Sequence, residues 1–261
     1  MGLIAIGSLN GSPGVTTTAL ALAATWPDSP LPTVVECDPS GGDIAARWRL
    51  RSRPGLTDVA AAAAEFGAND PEALEEGVQT IEVCGTQLRV VCAAPGGAGV
   101  RSALPQVAAP GAKVLDRPDA WTIADLGRLD WGSVAWPLTA AADATLLVVE
   151  GSLTGVAHLR SRISDVRQAE ALGARLAVAV APGEYTPGEV ADLLLAADVN
   201  LDVLGGLGRP EPIAPDPLTW RTRRALDAWK RLAADLLKVA NTPRPLELSA
   251  SPEESERRWT P

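Results

Sequence analysis

The sequence predicts an α/β fold: a doubly wound, mostly parallel sheet with helices on both faces. Short apolar runs alternate with segments of helical periodicity along most of the chain. The runs are mostly continuous rather than alternating, as strands covered on both faces by crossover helices must be. Small and acidic residues also follow these runs at their ends, where open α/β sheets bind ligands.

The elements come in a regular order. Leu3 to Gly7 reads as a buried strand, Ser8 to Gly14 as a loop of small residues, and Thr16 to Ala24 as a helix stopped at Trp26-Pro27. Thr33 to Glu36 is a second strand, followed at once by Asp38-Pro39-Ser40-Gly41-Gly42-Asp43. Helices are expected over Ala60–Phe66 and Pro71–Val78, then a hairpin of Thr80–Val83 and Gln87–Cys92 across Cys84-Gly85-Thr86. Pro95 to Pro118 is loop-rich with one helical stretch, and Trp121 to Ala124 is a strand ending at Asp125. Thr145–Val149 and Arg175–Ala181 read as buried strands, separated by one helix over Val156–Leu172. A helix over Pro187–Ala197, a strand over Val203–Gly206 and a helix over Trp220–Ala240 close the domain. The final helix carries Ala225, Leu226, Trp229, Leu232, Leu236 and Val239 at helical spacing. No repeat or internal linker is visible, so one domain is expected over 1–240, with a disordered, Pro- and charge-rich tail over 241–261.

Composition narrows the function. Of 261 residues, 46% are hydrophobic, enough for a substantial core. The net charge of -9 gives no bulk attraction to nucleic acid or anionic lipid, so direct DNA or membrane binding is not expected. The three cysteines, Cys37, Cys84 and Cys92, fit neither a disulfide framework nor a zinc pattern, there being a single histidine, His158. The N-terminus lacks a basic segment before its short apolar run, and no stretch reaches the ~20 apolar residues of a membrane span. A cytoplasmic protein is expected.

The loop Asn10-Gly11-Ser12-Pro13-Gly14-Val15-Thr16-Thr17 carries the chemistry. A strand, a small-residue loop and a helix N-terminus form an anion site, because loop N–H groups and the helix dipole face the same way. A threonine at the helix start can place its hydroxyl on Mg²⁺. Asp38 and Asp125, each after an apolar strand, occupy positions suited to holding Mg²⁺ through water.

With these residues in this order the chain resembles the ParA/MinD family of deviant Walker A ATPases, P-loop NTPases of the SIMIBI-like group, and their actinobacterial branch most. Gly11-Ser12-Pro13-Gly14-Val15-Thr16-Thr17 lies on the family's KGGxGKTT, Glu36-Cys37-Asp38-Pro39-Ser40-Gly41 on its DxDPQG, and Ile123-Ala124-Asp125-Leu126-Gly127 on its Walker B strand. Ala142-Asp143-Ala144-Thr145 and the apolar run after it resemble a further family strand. The resemblance runs from about Met1 to Ala240.

The resemblance implies that residues 10–17 (Asn10, Gly11, Ser12, Pro13, Gly14, Val15, Thr16 and Thr17) hold ATP. It implies that Thr16, Asp38 and Asp125 hold Mg²⁺, with Asp38 in the water-activating position. It also implies a protein partner, a sandwich homodimer, and a role in partitioning, division-site placement or polar pilus and secretion assembly, as in the CpaE/TadZ branch. The departures are specific. The signature lysine falls on Asn10, the P-loop lysine on Val15, and the first Asp of DxD on Glu36. Ala181-Pro182-Gly183 stands where an adenine-reading Asn is usual. Phosphoryl transfer needs positive groups on the transferring phosphate, each worth ~3–4 kcal/mol, so weak or absent hydrolysis follows. A basic residue from elsewhere can compensate, and Arg47, Arg49, Arg51 and Arg53 are the candidates. Trp131 and Trp136 flank a Gly-Ser loop and read either as an exposed partner surface or, as is more common for tryptophan, as core.

Overall fold

The computed structural model describes residues 2–11, 13–67, 70, 72–109, 113–130, 132–199, 201–207 and 220–242, without the side chains of 220–225. Ser12, Trp131, the side chains of Arg221, Arg223, Arg224 and Ala225, and the tail from 243 onward lie outside that set.

Eight strands form one sheet: β1 (Leu3–Ser8), β2 (Thr33–Glu36), β3 (Val78–Val83), β4 (Thr86–Val91), β5 (Thr122–Arg128), β6 (Ala144–Glu150), β7 (Leu176–Ala181) and β8 (Asp202–Gly206). Their spatial order is β3-β4-β2-β5-β1-β6-β7-β8, parallel throughout except for the antiparallel β3–β4 hairpin at one edge. The doubly wound, mostly parallel sheet is therefore as the sequence predicts.

The central strands are buried on both faces and split their side chains by alternation. Leu3 and Ala5 of β1 enter one core layer, Ile4 and Ile6 the other. The first layer is closed by α3 (Leu56–Phe66), α5 (Ala98–Val107), α6 (Trp136–Ala141), α7 (Leu153–Ser161), α8 (Ile163–Ala171) and α9 (Pro187–Ala196). The second is closed by α1 (Val15–Ala24), α2 (Ile44–Arg47) and α10 (Trp220–Ala240). In α10 the spacing read from sequence gives a buried stripe of Trp229, Leu232 and Leu236.

Several elements differ from expectation. The helix expected over Pro71–Val78 is the short α4 (Glu72–Glu75), because Gly77 passes so close to Gly55 and Val59 that β3 starts immediately after it. The helix expected over Val156–Leu172 is two helices, α7 and α8, broken at Arg162. The Arg162 guanidinium pairs with Asp165 and donates to the Leu129 carbonyl at 3.1 Å, tying the break to the loop after β5. β5 itself does not stop at Asp125 but runs on to Arg128. Among the described residues no helix is long and apolar enough to cross a membrane.

Candidate functional site

β1 and β5 are neighbours, yet their connections leave to opposite faces: α1 packs in the second layer and α6 in the first. This divergence opens a crevice at the carboxyl ends of the two strands, the position where open α/β sheets bind ligands. A cavity of about 440 Å³ lies there, lined by Gly11, Asp38, Ser40, Gly41, Gly42, Asp43, Pro95, Gly96 and Arg128.

The loop enters α1 through Gly14, whose φ of 93° is a left-handed conformation that a side chain would strain. Among the described residues no side chain caps this helix, so its first N–H groups stay available for an anion. Pro13 and Gly14 are partly exposed and Gly11 is exposed. Val15 is 4% exposed and packs in the second core layer, and Thr17 is buried too. Asn10 lines a separate small pocket with Val148, Val149 and Glu150 of β6 and Gly155 and Leu159 of α7. Neither residue that replaces a lysine lines the 440 Å³ cavity.

The Thr16 hydroxyl lies on the side of the Asp125 carboxylate. Asp125 is 1% exposed and accepts the Gly127 N–H at 3.0 Å. Burial pushes its pKa up to about 7; the Thr16 hydroxyl and the Gly127 bond lower it against that rise, and Glu36 and Asp38 add to it. Asp38 is half-buried and accepts the Ser40 N–H at 2.7 Å. Burial raises its pKa as well, and Asp43 and Asp130 reinforce that against the Ser40 bonds. Asp38 lies against the backbone of Gly127, where any Cβ would collide with its carboxylate.

Glu36 sits beside Asp125 in register across β2 and β5. Its Oε1 accepts the N–H groups of Asp43 (2.7 Å) and Ile44 (2.9 Å), and its Oε2 accepts that of Ala93 (2.9 Å). Burial nevertheless holds its pKa above the usual range. Thr16, Asp38 and Asp125 thus offer a hydroxyl and two carboxylates in a strongly negative setting, a hard-oxygen donor set that suits Mg²⁺.

The arginine run lies elsewhere, since none of Arg47, Arg49, Arg51 or Arg53 lines the cavity. Arg53 pairs with Asp58, the Arg51 carbonyl accepts from Gln79 of β3, and Arg47 stacks 6.0 Å from the Trp48 ring. Among the described residues lining the cavity the basic one is Arg128, which the sequence reading missed; the signal was Gly127 interrupting an apolar strand, the mark of a bulge. His158 is exposed on α7, and Cys37 and Cys92 are buried thiols. Trp136 is partly buried, its Nε1 donating to the Asp130 carbonyl at 2.7 Å.

Sheet order, loop and crevice define a doubly wound α/β fold with a P-loop-like strand–loop–helix at its centre. Comparison with solved structures narrows this to the fold of the MinD/ParA-type ATPases. The cell division ATPase MinD of Pyrococcus furiosus superposes with a TM-score of 0.67 at 18% identity, over 92% of this chain and 100% of that one. A ParA family ATPase from Chlorobium tepidum gives 0.61 at 14% identity, over 92% and 95%. Cobyrinic acid a,c-diamide synthase from Mycobacterium smegmatis, with bound ATP analogue and magnesium, gives 0.61 at 19%, over 93% and 96%. No protein-family model and no curated protein matches the chain by sequence.

Proposed function

We propose that the chain binds ATP with Mg²⁺ weakly, hydrolyses it slowly or not at all, and acts as a partner-binding switch. The cellular task is one of placement: chromosome or plasmid partitioning, division-site selection, or polar assembly of pili or secretion machinery. The observation that carries the nucleotide reading is buried Asp125, with Thr16 close enough to act on its titration, behind a cavity bounded by Gly11 and Asp38. In this reading the uncapped first turn of α1 takes the phosphates, Thr16 and Asp125 hold Mg²⁺, and Asp38 orients water. Slow turnover follows from Val15, an apolar side chain buried where the family's lysine would reach the phosphates. The M. smegmatis synthase, with its bound ATP analogue and magnesium, supports the same ligands on this fold.

A second reading, a scaffold that binds no nucleotide, is favoured by a different feature. An apolar groove of about 660 Å³ runs between α6 and α8, lined among others by Val134, Trp136, Pro137, Ala140 and Leu172, with Val134 and Leu172 exposed. Calorimetric titration with ATP, ADP and GTP, each with and without Mg²⁺, decides between them. Mg²⁺-dependent heat is expected. No heat and no thermal stabilisation at millimolar nucleotide would leave the scaffold.

A further inference from the structure

β1 and β5 run in step from Leu3↔Thr122 to Ile6↔Asp125, but the next matched pair is Ser8↔Arg128. β1 advances two residues while β5 advances three, so β5 holds one extra residue, with Gly127 left-handed at φ 58°. A bulge of this kind reverses the alternation of everything after it. Ala124 and Leu126 pack in the first core layer, and strict alternation would send Arg128 there next. Leu129 takes that place instead, fully buried under Gly7, and Arg128 turns to the cavity face that holds Gly11 and Asp38. There its Nε is held by Asp130 at 2.9 Å, with half of the side chain exposed.

We infer that Arg128 supplies the phosphate-facing positive charge that Val15 and Asn10 cannot, with Asp130 as the counter-ion that releases it when a nucleotide enters. This rests on the nucleotide reading above. Arginine suits the role because its planar fork can bond two phosphate oxygens at once. The cavity lining also carries Asp38 and Asp43, so a bare polyphosphate is repelled and the Mg²⁺ complex is the species that fits. Asp130 makes the site self-competing: its surface pair with Arg128 is weak, and a phosphate displaces it.

The test is calorimetric titration of the full chain with MgATP, MgADP and magnesium pyrophosphate, on the native chain and on Arg128→Gln, Arg128→Lys and Asp130→Asn. Melting curves check that each variant folds. Arg128→Gln should weaken MgATP about tenfold or more, the loss of a charge-assisted contact. Arg128→Lys should recover part of that affinity, and Asp130→Asn should tighten binding about threefold by freeing the guanidinium. MgATP binding that is equal in the native chain and Arg128→Gln overturns the role of Arg128 and leaves the nucleotide reading standing. Absence of binding in both the native chain and Asp130→Asn overturns the two together.

Discussion

Two buried carboxylates stand side by side on neighbouring strands, and their surroundings differ in kind. Around Glu36, three backbone N–H groups from α2, its leading loop and the end of β4 converge on both oxygens. Around Asp125, one backbone N–H bonds to the carboxylate and one threonine hydroxyl lies on its side, beside the crevice. Both are raised in pKa by burial. Titration alone therefore does not separate a structural carboxylate from a functional one. The donors do: backbone N–H groups fixed by the fold make Glu36 a tie between strands and loop, whereas a mobile hydroxyl leaves Asp125 room for a cation.

The same contrast ranks the substitutions. Glu36→Ala strands three backbone N–H groups, those of Ile44 and Ala93 in buried bonds and that of Asp43 in a part-buried one. At ~1–3 kcal/mol for each buried group left unpaired, a cost of about 3–5 kcal/mol is expected in urea unfolding. A loss below about 1 kcal/mol would show that water replaces the carboxylate and would break the comparison. Gly127→Val forces a β-branched residue to positive φ against the Asp38 carboxylate, and an unfolding loss of about 2–4 kcal/mol is expected. Asp125→Asn keeps an oxygen for the Gly127 N–H, so stability should move by less than about 1 kcal/mol. Its signature is the loss of Mg²⁺-dependent nucleotide binding; retained Mg²⁺ dependence would move the cation site away from Asp125.

The smallest effect belongs to a carboxylate of a third kind. Asp58, bonded to the exposed Arg53 guanidinium, has its pKa held below the ordinary 3.8. A carboxylate with a depressed folded pKa stabilises the fold above its unfolded value, and that contribution is lost as pH falls through the folded value. Asp58→Asn should therefore cost under about 1 kcal/mol at neutral pH, and nothing once the pH is below both values. An undiminished cost in acid would assign the effect to the Gly55 N–H that Asp58 also accepts at 2.9 Å, not to the ion pair.

Much of this was legible in the sequence because it is local. The run Leu3 to Gly7, the hairpin about Gly85 and the stripe of α10 each follow from periodicity, and each is found in the structure. Asp38 and Asp125 stood out because a carboxylate just after or within an apolar run is conspicuous. α2 and α6 did not stand out. Helices of four and six residues carry too little periodicity to see and are too short to form without neighbours. The break at Arg162 was also hidden, because its cause is a contact with Leu129, far away in the chain. Arg47 to Arg53 looked like the basic supply for the crevice because sequence distance to Asp43 is short, but the chain carries them towards the β3–β4 edge, where the Trp48 indole donates to the Glu82 carbonyl.

By itself the sequence determined the fold class, the strand–loop–helix at Asn10 to Thr17, and the absence of lysine from that loop. These depend on residue type and on spacing within one or two elements. Only the tertiary structure decided that Val15 is core, that Asn10 lines a pocket beside β6, and that Arg128 lines the cavity. The physical reason is register. A single extra residue in β5 inverts the facing of every side chain after it, and that residue is defined only against its partner strand β1.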